Sequence, residues 1–391
     1  MERAPGSRRF GISLLAFSPH RLAGAATYTV GLTQALVSRA PERYTVFVPR
    51  RYEPLWRELL PWPLDFVVCG PNPDRRILRV LFEQSILPRV ATRRRIDTVF
   101  FPHLVAPGWR SPRAVVTVYD LLLLSKATDF PWYKRVYHHW AYGKLVKSEL
   151  HIVTISEFCR REIVQRLGVA PERISVAPPG LDAEFVATHG QSVPQVDLPG
   201  PYVLAVAGGY PHKRLPTLLE AFALLSSDAP DLYLVVAGTY AGDRTTVHGL
   251  IAAARAQGLG SRVLFLPKLE RSDMPQLFAR AAVLASASEF EGFGIPVIEA
   301  MAVGCPVAAS PAEAIVEVLG GHGWVADDFS ASALATAIRN ALSARIGARS
   351  VLSNAMDRAR SIYTWDAAAA IIERVLSVTP WTATRNRATS A

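Results

Sequence analysis

The sequence predicts an α/β protein built from two Rossmann-like domains that face each other across a cleft. Three observations carry this. Short apolar, β-branched runs alternate with amphipathic stretches from end to end, the pattern of parallel strands joined by helices. The alternation lapses at 184–200, where Gly190, Pro194, Pro199 and Gly200 break both periods, and then resumes. A chain of 391 residues is too long for one core, and with half its residues hydrophobic and 19% charged it has the apolar material for two. The expected domains are 1–185 and 200–365.

In the first domain the predicted strands are 10–17, 44–48, 64–69, 97–101, 114–118, 151–155 and 173–177. Helices are expected at 27–39, 74–92, 132–148 and 157–167. Arg93, Arg94 and Arg95 close the second of these, where cations complement the helix dipole. Ser156 stands where the last needs its N-cap. In the second domain strands at 202–207, 232–237, 262–266, 282–285 and 306–309 are separated by helices at 214–226, 246–257, 272–280 and 296–303. The tail 330–377 is mostly helical and ends in a polar stretch.

Charge is lopsided. Residues 1–190 carry 27 Lys and Arg against 16 Asp and Glu, a net of +11, whereas residues 191–391 sum to −1. The first half is therefore expected to meet something anionic, such as an acidic membrane surface or a lipid-phosphate acceptor. Nucleic acid is the weakest candidate and is not expected as a partner, because neither Cys/His fingers nor the aromatic motifs of RNA binders are present. Cys69, Cys159 and Cys305 are odd in number and scattered, which argues against disulfides and suits a reducing, cytoplasmic compartment. No apolar run reaches the roughly 18 residues that span a bilayer. Arg8-Arg9, the run Phe10 to Phe17 and Ala23-Gly24-Ala25 mimic a signal peptide, but Pro19-His20-Arg21 interrupts them and a first strand accounts for the run.

The most informative segment is 286–307. It sets Glu291 and Glu299 eight residues apart across a Gly292-Phe293-Gly294 turn that leads into a helix start, with Ile295-Pro296 in the first turn. Backbone N–H groups of such a turn and the positive end of the dipole form an anion site. Two carboxylates beside bound phosphate suit neutral hydroxyls and positive charge that develops next to the phosphate. A sugar joined to a phosphate, breaking at the anomeric carbon, fits that layout.

This segment resembles the donor-site signature of glycosyltransferase family 4, a group of retaining enzymes with the two-domain GT-B fold. The likeness covers Glu291-x7-Glu299, the Glu-Gly-Phe-Gly-x-Pro turn and the Glu-Ala-Met-Ala-x-Gly-x-Pro-Val tail. It implies that Glu299 accepts hydrogen bonds from ribose hydroxyls, that Glu291 contacts the sugar, and that the N–H groups from Gly292 to Ile295 hold sugar and phosphate. It also implies that the final helix, here 366–380, crosses back onto the first domain.

Further pieces fit the same resemblance. The strand from Val203 ends in Gly208-Gly209-Tyr210-Pro211-His212-Lys213-Arg214, a natural diphosphate clamp of glycines and bases at a helix start. Family members place a Lys at the position of Lys213. Many also carry an Arg slightly earlier; this chain has none between Pro201 and His212, so Arg214 or Lys268 is expected to substitute. Gly24 follows the first strand, where backbone can approach a ligand, although Ala25 replaces a second glycine found in relatives. The strand Val115 to Val118 delivers Tyr119 and Asp120 to its carboxyl end. Relatives often have His at the position of Tyr119; a phenol, with a reference pKa near ~10, can donate a hydrogen bond to sugar but is a poor proton acceptor. Asp120 is expected to orient it or to face the acceptor. His103 resembles a cleft residue on the acceptor side, and Glu317 is expected at the nucleotide-side rim.

The expected activity is retaining transfer of a mannose- or glucose-like hexose from a nucleoside diphosphate sugar to a glycan or polyisoprenyl-linked acceptor in cell-envelope or polysaccharide synthesis. The enzyme is expected to be cytoplasmic and to sit peripherally at the inner membrane face. Glu291, Lys213 and Asp120 are the expected catalytic residues. No cofactor and no metal is expected, since helix dipole and lysine supply positive charge and no Asp-x-Asp motif accompanies them. The alternatives are a catalytically silent sugar-nucleotide sensor, or an epimerase or phosphorylase on the same architecture.

Overall fold

The computed structural model describes residues 8–18, 24–105, 107–108, 113–126, 131–187, 198, 200–226, 228–238, 244–266, 269–347 and 349–378. Lys268, the segment Pro19-His20-Arg21 and most of the 184–200 break lie outside the described residues.

The continuous apolar runs become two wholly parallel sheets. The first contains β1 (Phe10–Ser13), β2 (Tyr44–Val48), β3 (Asp65–Val68), β4 (Thr98–Phe101), β5 (Arg113–Thr117), β6 (His151–Thr154) and β7 (Ile174–Val176), in the order β3-β2-β1-β4-β5-β6-β7. The second contains β8 (Tyr202–Val206), β9 (Tyr233–Ala237), β10 (Val263–Leu266), β11 (Val283–Ser286), β12 (Val307–Ala309) and β13 (Trp324–Val325), in the order β10-β9-β8-β11-β12-β13. Every residue of β1, β2 and β4 is buried, as expected of strands covered on both faces.

The first layer of helices comprises α1 (Gly24–Arg39), α2 (Glu53–Leu59), α3 (Arg76–Ser85), α4 (Leu87–Arg93), α5 (Leu122–Ser125), α6 (Trp132–Lys147), α7 (Glu157–Leu167) and α8 (Ala183–Val186). The second comprises α9 (Leu215–Ser226), α10 (Arg244–Ala256), α11 (Met274–Arg280), α12 (Ile295–Ala302), α13 (Glu313–Leu319), α14 (Ala331–Gly347), α15 (Arg349–Ile362) and α16 (Trp365–Ser377). The stretch 74–92, read above as one helix, is two: Pro88 lacks the N–H a continuous helix would use and sits instead in the first turn of α4. The strand expected at 10–17 pairs only over Phe10–Ser13.

Strand order reverses beside β1/β4 in one sheet and beside β8/β11 in the other. Open parallel sheets bind ligands outside the carboxyl ends at such points. The segments that leave β1, β5, β8 and β11 are the ones carrying Gly24, Asp120, Lys213 and Glu291.

α16 packs against α1 through Trp365. A Cβ on Gly31 would lie 2.2 Å from the Trp365 ring, and one on Gly180 would lie 2.2 Å from the Trp365 backbone nitrogen. Backbone cannot yield as a side chain can, so Gly180→Ala is expected to destabilise the protein by about 1–3 kcal/mol through overpacking. Gly249→Ala in α10, where nothing lies within 4 Å of the added carbon, should instead hold or raise the melting temperature. Thermal melting of the two variants beside the wild type checks both, and equal melting temperatures would refute the steric account.

Candidate functional site

A cavity of about 510 Å³ opens between the carboxyl ends of the two sheets, within the range of ligand pockets. The first domain lines it with Gly24, Tyr28, Tyr119 and Asp120. From the second come Gly208, Lys213 and Arg271, and the turn from Glu291 to Pro296 with Glu299 behind it.

Two glycines make that turn feasible. Gly294, the residue before α12, has φ +105°, a conformation that L side chains rarely adopt. Gly292 lets the domains meet: a Cβ there would stand 2.8 Å from the Tyr119 carbonyl oxygen. The Gly292 carbonyl accepts the Ser156 hydroxyl at 2.7 Å, while the same Ser156 oxygen caps α7 by accepting the Cys159 N–H at 3.0 Å. Glu317, expected at the nucleotide-side rim, is not among the residues that line the cavity. Its carboxylate crosses to the other domain and accepts the backbone N–H groups of Glu157 and Phe158 at 2.8 and 2.7 Å, where the start of α7 attracts an anion.

The acids and bases of the cavity are paired. Lys213 Nζ lies 2.5 Å from Glu291 Oε1. Asp120 lies close enough to feel both groups. Burial raises its carboxyl above the usual range and Glu291 adds to this, while the Leu122 N–H that donates to it at 2.9 Å and Lys213 pull it down. One ammonium therefore serves two carboxylates.

Arg271 likewise stands between two acids. Its Nε donates to Asp182 at 2.7 Å and its Nη2 lies 2.5 Å from Glu299 Oε1. Burial would lower the Arg271 guanidinium, but Glu299 and Asp182 outweigh it and hold it above its ordinary value. Burial pushes Glu299 up to about 7, against the pull of Arg271. Glu299 is 2% exposed and reaches the cavity from the buried side of α12.

The sign of the resulting pH dependence is fixed. Only the ionised Glu299 can accept hydrogen bonds through both oxygens, so binding of a ribose diol should strengthen as pH rises through about 7. A group with that pKa predicts about tenfold tighter nucleotide binding at pH 8 than at pH 6. Arg271→Ala removes the nearest cation and should move the midpoint to higher pH. Calorimetric titration with a nucleoside diphosphate across that window checks it; a flat profile would refute it.

Several residues singled out from sequence are placed or engaged otherwise than expected. Arg214, at φ +48°, does not line the cavity; its guanidinium sits 5.8 Å from the Phe329 ring centroid. Gly208 lines the cavity and Gly209 does not. The Tyr119 hydroxyl is occupied by backbone, donating toward the Pro102 and Ala25 carbonyls at 2.7 and 3.2 Å, so it offers no free donor to a sugar. Burial raises its pKa well beyond that of a free phenol. His103 is also withdrawn. It is 8% exposed, stands edge-on to Phe17 and Phe101, and its Nε2 meets Glu83 Oε1 at 3.0 Å. It is not among the residues that line the cavity.

Sequence reasoning missed Arg271 and Asp182. Arg271 precedes a predicted helix with no glycine beside it, and Asp182 ends a Pro178-Pro179-Gly180-Leu181 turn that reads as a plain corner. Neither signal is visible until the chain is folded, because the two sit 89 residues apart. Among the described residues no three His, Cys, Asp or Glu side chains converge as a metal site would require.

Comparison with known proteins agrees with this geometry. Residues 192–358 match the family model described as Glycosyl transferases group 1, and residues 22–185 match Glycosyltransferase Family 4. O-antigen chain mannosyltransferase B of Escherichia coli is 26% identical over 250 residues, 62% of this chain and 63% of that protein. A D-inositol 3-phosphate glycosyltransferase of Mycobacterium sp. (strain JLS) is 31% identical over 172 residues, 43% of this chain and 38% of that protein. The chain thus spans less than two thirds of the length of these relatives. Among solved structures, a glycosyltransferase from Rickettsia africae ESF-5 superposes with a TM-score of 0.73 at 16% identity, covering 95% of this chain and 98% of that one. Anabaena Alr3699/HepE in complex with UDP and glucose gives 0.71 at 17% identity, over 95% and 100% of the chains. These likenesses establish the fold as two facing parallel-sheet domains of the GT-B kind.

Proposed function

Because the chain belongs to the family 4, group 1 glycosyltransferases, we propose that it moves a mannose- or glucose-like hexose from a nucleoside diphosphate to an alcohol on a glycan or lipid-linked acceptor, with retention at the anomeric carbon. The observation that carries this is the pair of acid–base couples, Lys213 with Glu291 and Arg271 with Glu299, that line one interdomain cavity beside α12.

Each group has a task. Glu299 accepts hydrogen bonds from the ribose diol, with Arg271 fixing its orientation. Lys213 turns from Glu291 to the diphosphate and stabilises the charge that grows as the bond between anomeric carbon and phosphate oxygen breaks. Glu291, released, faces the sugar hydroxyls and the positive charge spreading over the ring. The acceptor oxygen attacks the face from which the phosphate leaves, and the departing phosphate takes the acceptor's proton. Products are the glycoside and a nucleoside diphosphate. Asp120 holds a positioning role from the first domain, beside both members of the Lys213 couple.

Support for a sugar-nucleotide donor comes from the UDP and glucose held by the Anabaena protein. Support for an envelope glycan as product comes from the O-antigen enzyme. Thermal melting with UDP, GDP, ADP and TDP identifies the base, and proton NMR of the product with the matching sugar donor reads the anomeric configuration. An inverted product would overturn the mechanism. The proposed chemistry draws its positive charge from lysine, arginine and the helix start, so EDTA is expected to leave turnover unchanged; loss of activity restored by magnesium would refute that part. One observation favours a silent sensor instead: the Tyr119 hydroxyl is spent on backbone. That reading predicts nucleotide-induced stabilisation without turnover.

A further inference from the structure

In the first domain, α3 and α6 lie side by side and run in the same direction. Arg76 opens α3 beside Lys134 near the start of α6; burial and then Arg76 lower the Lys134 ammonium. At the far ends, Gln84 accepts the Gly108 N–H at 2.9 Å, and Lys144 Nζ lies 3.8 Å from where a Gly108 Cβ would stand. The inner sides of the two helices are polar and enclosed: Arg79 reaches Glu83 at 3.5 Å, and the Tyr137 hydroxyl donates to the Leu104 carbonyl.

Their outer sides are apolar. α3 exposes Ile77, Leu78 and Leu81, at 77%, 47% and 56%. α6 exposes Trp132, Tyr133, Val136 and Trp140, a stripe at helical spacing, with Trp132 at 73%. Exposed cations are interleaved with them: Arg76, Arg135 and Lys144, the last placed 4.7 Å from the Trp140 ring centroid. Glu83 is the single acid in both helices, and it is fully buried. An amphipathic surface of aromatic and aliphatic side chains ringed by Lys and Arg is the composition that settles into a lipid headgroup layer, where Trp and Tyr span the boundary between water and hydrocarbon. A second copy of the same face would bring cation against cation, which argues against self-association.

We propose that the α3–α6 face is a docking surface for an anionic lipid bilayer, seated through Trp132, Tyr133 and Trp140 and held by Arg76, Arg135 and Lys144. The face is continuous with the cleft, because Lys134 of α6 and Leu122 of α5 also line the cavity. A lipid-linked acceptor would then pass from the bilayer along α6 to the reaction centre. That last step rests on the transferase reading; the bilayer contact does not.

The test is sedimentation of the full chain with vesicles of mixed phosphatidylcholine and phosphatidylglycerol, and with pure phosphatidylcholine. The wild type is expected to bind the mixed vesicles and to release as salt is raised. Two double variants act on the two halves of the surface: Trp132→Ser with Trp140→Ser, and Arg76→Glu with Arg135→Glu. Each should weaken vesicle binding by about tenfold or more while keeping the nucleotide-dependent rise in melting temperature, which shows that the cleft is folded. The proposal is overturned if the wild type does not sediment with the mixed vesicles, or if both variants bind as it does. It is also overturned if the wild type is a dimer that the tryptophan variant splits. A wild type that binds vesicles but no nucleotide would defeat the donor reading and leave this one standing.

Discussion

Lys213→Ala is expected to lower kcat by about 10²–10³-fold, the usual consequence of removing one preorganised group that stabilises charge in the transition state. In the ligand-free cavity Lys213 is held by Glu291 at 2.5 Å, with Asp120 close by. The ammonium is thus already positioned and partly desolvated before the donor arrives. The partner variant behaves differently. Glu291→Ala frees Lys213 from its carboxylate, so a nucleoside diphosphate should bind as tightly as to the wild type or more tightly, while transfer is lost with the group that faces the sugar. The pair is read by isothermal titration with the nucleoside diphosphate alongside single-turnover kinetics with the sugar donor. If Glu291→Ala weakened the bare nucleotide as much as Lys213→Ala does, the division of labour between diphosphate and sugar would be wrong.

The division of labour between Glu291 and Glu299 was legible in the sequence only as a spacing. Glu291, Gly292, Gly294 and Glu299 are close in the chain, and a local motif dictates its own geometry: the positive φ of Gly294, Ile295-Pro296 in the first turn, and Glu299 on the buried side of the helix. Most strands and the longer helices were equally readable, because burial on both faces leaves long apolar runs. The short α2, α5, α8, α13 and β13 have too few residues to show a period and were not expected. What the sequence hid were partnerships set by the meeting of the domains. Arg271 finds Asp182 across the interface, and Glu317 finds the backbone of α7. The Arg214 guanidinium and the Tyr119 hydroxyl are engaged elsewhere for a related reason. A cation beside a glycine turn and a phenol at a strand end have the right chemistry, but a nearby ring and two carbonyls claimed them first. His103 was claimed by Glu83, on a helix where the sequence shows only one acid among apolar residues.

Glu299→Ala is expected to abolish the stabilisation by nucleotide. A ligand at a hundred times its dissociation constant adds about 2.7 kcal/mol to the folded state. Each hydrogen bond from a hydroxyl to an ionised group is worth about 1.5–3 kcal/mol, so loss of the diol contacts removes an increment of that size. The side chain is 2% exposed and bridged through Arg271 to Asp182, so lost affinity could also reflect a disturbed cleft. A chemical control separates the two. The wild type should prefer the ribonucleoside diphosphate over its 2′-deoxy form, and the variant should bind both equally and weakly. A general disturbance would weaken both ligands and keep the preference, whereas a missing carboxylate erases it. Glu299→Gln sharpens the distinction: it keeps the shape and one acceptor oxygen, loses the charge that Arg271 answers, and no longer titrates. Its residual affinity for the ribonucleoside diphosphate should therefore be independent of pH between 6 and 8, where that of the wild type changes by about tenfold. Should the variant retain the full ribose preference, Glu299 does not touch the ribose, and the orientation assigned to the donor in this cavity is reversed.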